Sequence, residues 1–256
     1  MIVTLDKPAG WTPLEALEDL RARTPALAGE PMVYAGRLDP MAEGVLLVLT
    51  GEDRHALPAH LAHDKTYEAT FLFGVSSDTF DALGRVRLGG AVNVSGDVSP
   101  DGSPDVSACV AAVQALVGTH ELPIPAWSAY RVRGRPLHAW AREGRVGEVT
   151  VPVRAMRVNR AADVVGERVR AADVVPDVNV RIERVRGLFR QQDALADWAR
   201  VVRANPPLVE VRATLDVVSG VYIRALADAV GARLGCGALL LALRRTRVGP
   251  YKIDAP

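Results

Sequence analysis

A continuous apolar run, VLLVLT at residues 45–50, follows closely on a loop at 36–40 that opens with Gly36 and closes with Pro40. An apolar run this short, bounded by turn signals, reads as a buried strand. A buried strand needs a sheet around it, and further strand patterns stand elsewhere in the chain. Residues 1–5 alternate weakly, 67–73 (YEATFLF) alternate clearly, and 149–158 and 208–219 are rich in valine. Helical spacing predicts helices over 14–23, 108–117, 193–204 and 222–234, and a short one over 238–246 (ALLLALRRT). Thr12 with Pro13 marks the start of the first, and Gly235 stops the helix at 222–234. Strands do not alternate regularly with helices, so an α+β fold with a mixed or antiparallel sheet is expected. Residues 89–107, dense in Gly, Ser, Pro and Asp, read as a flexible surface excursion. The Arg- and Val-rich stretch at 160–190 is assigned no element.

The composition excludes several classes. Nearly half of the 256 residues are hydrophobic, which permits a folded core. With 31 basic and 30 acidic residues the net charge is +1, so nucleic acid would have to be met by a local patch. Cys109 and Cys236 form no metal-ligand spacing and read as buried thiols. His55, His60 and His63 with Asp64 read as an exposed helix side before a metal cluster. No secretory leader and no apolar stretch of about 20 residues is present, so a soluble cytoplasmic protein without a membrane partner is expected.

Within the 36–40 loop, Pro40 restricts Asp39 to extended backbone geometry, and the strand that follows anchors the loop. A carboxylate fixed at the edge of an apolar core can act as nucleophile or base. By itself, an Asp before a Pro is more often a turn former.

The segment AGRLDPMAEGVLLVLTGEDR resembles the catalytic motif of the TruB family of tRNA pseudouridine synthases, G-x-L-D-P-x-A-x-G-x-L. Gly36, Leu38, Asp39, Pro40, Ala42, Gly44 and Leu46 match every fixed position. Further resemblances follow in the family's order: DKPAGWT (6–12), KTYEA (65–69), SSDTFDALG (76–84), SAYRVRGRPLHAWAREG (128–144) and the segment 218–251. The resemblance implies a single catalytic domain over 1–256 with a mixed, mainly antiparallel sheet flanked by helices and an RNA-binding cleft. It implies that Asp39 attacks the nucleoside, at ribose or base, as the N-glycosidic bond is cleaved. It implies that Tyr67 stacks on the target base and assists a late proton transfer, and that Arg224 pairs with Asp39. An anion in a dry pocket needs a cationic partner, and arginine keeps its charge there. The reaction needs no cofactor and no metal, which agrees with the lack of dinucleotide and phosphate-loop fingerprints.

Residues 127–145 carry Arg131, Arg133, Arg135, Arg142 and Arg145 with Trp127, Tyr130 and Trp140 interleaved. Guanidinium groups bridge phosphates and aromatic faces stack on bases. In the family this region belongs to an insertion, here 120–145, that clamps the RNA hairpin loop. Tyr34, Arg37, Arg244 and Arg245 are the remaining RNA-contact candidates. The chain departs from the family pattern at Pro13, Tyr34 (family His), Leu122, Ile124, Trp127, Arg131 (family Lys) and Leu239. These changes fall on RNA-contacting positions and spare the chemical trio. With only a few residues after 218–251, the small C-terminal RNA-binding domain many members carry is not expected. The expected function is isomerisation of uridine to pseudouridine in RNA, at the T-loop of tRNA, by a monomer. The competing readings are the same chemistry on another RNA, a non-catalytic RNA-binding or folding chaperone, and, more weakly, a carboxylate-dependent hydrolase.

Overall fold

The computed structural model describes residues 1–89, 104–187 and 189–253, so most of the loop expected at 89–107 lies outside the described residues. The N-terminal third runs β1 (Ile2–Lys7), α1 (Pro13–Arg23), β2 (Met32–Ala35), β3 (Glu43–Thr50), α2 (Leu57–Leu61), β4 (Lys65–Phe73), β5 (Val75–Ser77) and β6 (Val86–Leu88). The middle runs α3 (Val106–Gln114), β7 (Gly118–Pro123), β8 (Arg131–Val132), β9 (Arg135–Pro136) and α4 (Leu137–Arg142). The rest runs β10 (Val153–Val169), α5 (Ala171–Arg184), α6 (Gln191–Ala204), β11 (Leu208–Val217), α7 (Ile223–Leu234), β12 (Ala238–Val248) and β13 (Tyr251–Lys252).

Among the described residues a nine-stranded sheet takes the order β1-β3-β12-β4-β11-β10-β7, with β2 on β3 and β13 on β12. Every pairing in it is antiparallel except β3 with β12. The expected mixed, mainly antiparallel sheet with flanking helices is what forms. The apolar run lies in β3, buried from Gly44 to Thr50. α1 starts on the expected cap: the Thr12 hydroxyl accepts from the Glu15 amide, and the Glu15 carboxylate accepts from the Thr12 amide at 2.7 Å.

Two expectations change. Residues 238–246 are not a helix: they form most of β12, a central strand between β3 and β4. An apolar run buried on both faces has no alternation to reveal it, and Ala and Leu favour the helical reading. The unassigned stretch at 160–190 continues β10 to Val169 and then forms α5. In α5, Ala171, Val174, Val175, Val178 and Ile182 are buried at three- and four-residue spacing, the stripe of a helix against a core. The main core holds Phe71, Phe73, Leu240 and Trp198, and receives residues of α3, α5, α6 and α7. No helix of the described residues is long and apolar enough to cross a membrane. Cys109 and Cys236 are buried free thiols.

Candidate active site

The loop between β2 and β3 is pinned on both sides of Asp39. Leu38 and Met41 are buried, and the Ala42 amide donates to the Asp39 carbonyl at 3.0 Å. From one flank, the Gly10 amide donates to the Pro40 carbonyl at 2.7 Å. From beneath, Arg245 of β12 donates to the carbonyls of Val45 (2.7 Å), Gly36 (3.1 Å) and Arg37 (3.3 Å). The close passage of β3 over β12 requires Gly44: its φ is +100°, and a Cβ there would lie 2.2 Å from the Arg245 carbonyl oxygen. The anchors are buried while the Asp39 side chain stays about one-third exposed.

Arg224 sits in the first turn of α7 and is 4% exposed. Its Nε donates to Asp39 Oδ2 at 2.7 Å, and its Nη1 to the Thr79 carbonyl at 2.7 Å. Its Nη2 reaches the Trp127 carbonyl at 3.4 Å, and Asp81 Oδ2 lies 3.6 Å from its Nε. A cation at a helix N-terminus meets the unfavourable end of the helix dipole. Burial also works against its charge, but Asp39 and Asp81 together outweigh the burial and raise its pKa. Asp81, fully enclosed, is pushed by burial up to about 6, against the pull of Arg224 and of the Thr79 hydroxyl that donates to it at 2.7 Å. Two carboxylates thus flank one guanidinium, one open to the cleft and one sealed behind it.

Asp39, Arg224 and Tyr67 line one cleft of about 650 Å3, a volume in the range of pockets that enclose a small ligand. Tyr67 stands on β4 two residues after Lys65, so both point to the same face of the strand. Lys65 donates to the carbonyls of Leu61 and His63 and to the Ser219 hydroxyl. Its burial, with Arg245 nearby, lowers its pKa to about 8. Tyr130 and Arg154 complete one side, and Tyr222 lies near Asp39; burial and that carboxylate raise the pKa of its phenol.

The remaining candidates divide. Arg37 lines the cleft and is exposed. Arg131 and Arg133 stand exposed around the β8–β9 hairpin, and Arg142 is exposed at the end of α4. The hairpin and α4 share a small core of Ile124, Leu137 and Val149, against which Tyr222 packs. Arg135 is engaged by Glu143 and lies over the Trp140 ring at 4.9 Å. Trp127 meets Arg224 through its carbonyl, while its ring lies 3.9 Å below the Arg190 guanidinium. Tyr34 packs on the cluster under α1 and is not among the cleft residues. Arg244 pairs with Asp6 at 2.9 Å and with Glu43 at 3.5 Å. The reading of Arg245 as a surface phosphate ligand is corrected: it is 1% exposed and all three of its nitrogens donate to loop carbonyls.

Sequence reasoning assigned no role to Asp81, Thr79, Lys65 or Arg190. Asp81 and Thr79 lie inside SSDTFDALG, so the signal was an acid in a segment already singled out. Arg190 carried none, because its partners are distant in sequence.

Comparison with known proteins gives a consistent result. The family model described as TruB family pseudouridylate synthase (N terminal domain) matches residues 27–182. The tRNA pseudouridine synthase B of Thermobifida fusca is 37% identical over 255 residues, covering 99% of this chain and 71% of the relative. That of Aromatoleum aromaticum is 32% identical, covering 99% of this chain and 64% of the relative. The chain spans about two thirds of the length of these relatives. Among solved structures, a chain of a Cbf5-Nop10-Gar1 complex superposes with a TM-score of 0.54 at 23% identity, covering 99% of this chain and 50% of that one. A chain of an H/ACA RNP bound to a substrate RNA containing 2'-deoxyuridine gives 0.52 at 20% identity, covering 99% and 49%.

Proposed function

Because this chain belongs to the TruB family of pseudouridylate synthases, we propose that its cleft takes up a uridine flipped out of a transfer-RNA T-loop and that Asp39 carries the isomerisation. The chemistry is that of a pseudouridine synthase acting on tRNA, converting uridine to pseudouridine. The N-glycosidic bond breaks, the uracil turns, and a carbon–carbon bond forms to the ribose. The proton lost from that carbon is balanced by one gained at the freed ring nitrogen. Asp39 is the nucleophile, and Arg224 orients its carboxylate through the 2.7 Å hydrogen bond. Tyr67 offers a face on which a flipped base stacks and a hydroxyl suited to proton relay. The single observation that carries this reading is the convergence of Asp39, Arg224 and Tyr67 on one cleft from three separate elements.

The described residues work as one catalytic unit, with 120–145 as the RNA clamp. Of the RNA-contact candidates, Arg37, Arg131, Arg133 and Arg142 are exposed and available to phosphates. The enzyme acts as a cytoplasmic monomer without a cofactor. The test is pseudouridine formation in an unmodified T-arm hairpin by wild type, Asp39→Ala and Asp39→Asn. Product with wild type and none with either variant supports the reading. Hairpin binding without product points instead to another RNA target or to a non-catalytic binder.

A further inference from the structure

β10 and β11 are antiparallel neighbours, and Val169 pairs with Leu208 at their joined end. A two-residue turn closes such a pair. Here residues 170–207 intervene and carry α5 and α6. This excursion is tied to the two loops that flank the trio. On one side, the Arg186 amide donates to the Gly10 carbonyl at 3.4 Å and its guanidinium lies 4.8 Å from the Trp11 ring. The Gly10 amide in turn holds the Pro40 carbonyl, next to Asp39.

The other side is tied more closely. Trp198, wholly buried, donates from Nε1 to the Ala82 carbonyl at 2.9 Å. Arg85 donates to Asp197 Oδ2 at 2.6 Å. Arg190 forks onto Asp78, with Nη1 to Oδ2 at 2.7 Å and Nη2 to Oδ1 at 3.1 Å, while its guanidinium covers Trp127. Asp78 precedes Thr79, whose carbonyl holds Arg224 Nη1, and the Trp127 carbonyl holds Arg224 Nη2. The contacts close a ring: Arg224, Thr79 and Asp78, Arg190, Trp127, and back to Arg224.

We propose that Arg190 is a positioning residue that fixes the two carbonyls on which Arg224 is hung, and through Arg224 the carboxylate of Asp39. This inference rests on the reading of the cleft as a pseudouridine synthase site. A planar guanidinium can fork onto a carboxylate in its plane and stack on an aromatic ring through its face at once, whereas an ammonium group cannot. Both terminal nitrogens of Arg190 are committed to Asp78, which favours positioning over capture of an RNA phosphate.

The test uses Arg190→Met and Arg190→Lys in single-turnover isomerisation of the T-arm hairpin at saturating enzyme, with hairpin Kd measured separately. The rate constant falls about tenfold or more in Arg190→Met while Kd stays within about twofold, because geometry is lost and binding is kept. Arg190→Lys recovers only part of the rate, and should Arg190→Met fail to fold, this variant decides. Trp127→Leu shows a similar fall, and combining it with Arg190→Met adds little, as members of one unit behave. An unchanged rate overturns the proposal, as does a Kd raised about tenfold at unchanged rate, which makes Arg190 an RNA contact. Amide hydrogen exchange provides an arm free of turnover. Faster exchange confined to 78–82 and 126–130 in Arg190→Met supports the proposal, and unchanged exchange there overturns it, even if wild type makes no product and the functional reading fails.

Discussion

Replacing Arg245 with methionine separates a structural arginine from an RNA-binding one. Methionine keeps much of the stem's bulk and donates nothing, so the carbonyls of Gly36, Arg37 and Val45 each lose a donor. A buried polar group left unpaired costs about 1–3 kcal/mol. Part of that sum is returned, because the folded chain no longer buries a guanidinium. A net loss of about 3 kcal/mol remains, and at about 2–4 °C per kcal/mol for a chain of this size Tm falls by about 10 °C. The freed loop carries Asp39, so isomerisation slows even below the new Tm. Calorimetry reads the first effect, and hairpin affinity across a salt series reads the role. A phosphate ligand, when removed, flattens the log–log salt dependence by about 0.7–0.9, whereas Arg245→Met leaves it unchanged. A Tm within about 2 °C of wild type together with a flattened salt slope would refute the argument from burial.

Three further outcomes follow from the same geometry. Burial holds Lys7 and Lys65 each near a pKa of about 8 instead of 10.5. Between those values the unfolded chain keeps protons the folded chain has released, so stability rises with pH over that window, and Lys7→Met removes about half of the rise in urea unfolding at stepped pH. Tyr67→Phe keeps the stacking face and loses the hydroxyl, so hairpin Kd stays within about twofold while the single-turnover rate falls about a hundredfold. Gly44→Ala puts a Cβ against the Arg245 carbonyl at positive φ, and the urea midpoint drops by the equivalent of about 2–4 kcal/mol.

That Asp39, Tyr67 and Arg224 meet at one cleft was legible through the family resemblance, because each lies in a contiguous segment that matches a family motif. Asp39 stands between Leu38 and Pro40, Tyr67 on a clearly alternating strand, and Arg224 at the head of an amphipathic helix. The misreadings have physical causes. In β12 both faces are buried, so strand alternation vanishes and leucine-rich spacing imitates a helix. In α5, Pro176 stands inside the helix and hides a regular stripe of buried valines. Arg244 and Arg245 are adjacent in sequence but point to opposite sides of a strand: Arg244 meets Asp6 at the surface while Arg245 is sealed beneath the Asp39 loop. A charge count cannot distinguish them. Arg190 is the extreme case, since its meaning lies wholly in Asp78 and Trp127, which only the tertiary fold brings near.

The place of β12 in the sheet bears on how the chain comes together in time. Strands β1 and β3 lie on one side of it and β4, β11, β10 and β7 on the other. The N-terminal strands therefore have no hydrogen-bonded route to the rest of the sheet until β12, one of the last elements in the chain, inserts between them. Asp39 and Arg224, 185 residues apart in sequence, are joined by a contact of long range. Loop-closure entropy is met before such a contact forms, so its formation is slow and late. On a ribosome the Asp39 loop emerges long before the strand that supports it from below. Until β12 arrives, the nascent chain holds two half-sheets with open edges facing one another, the state in which it is most open to misassembly.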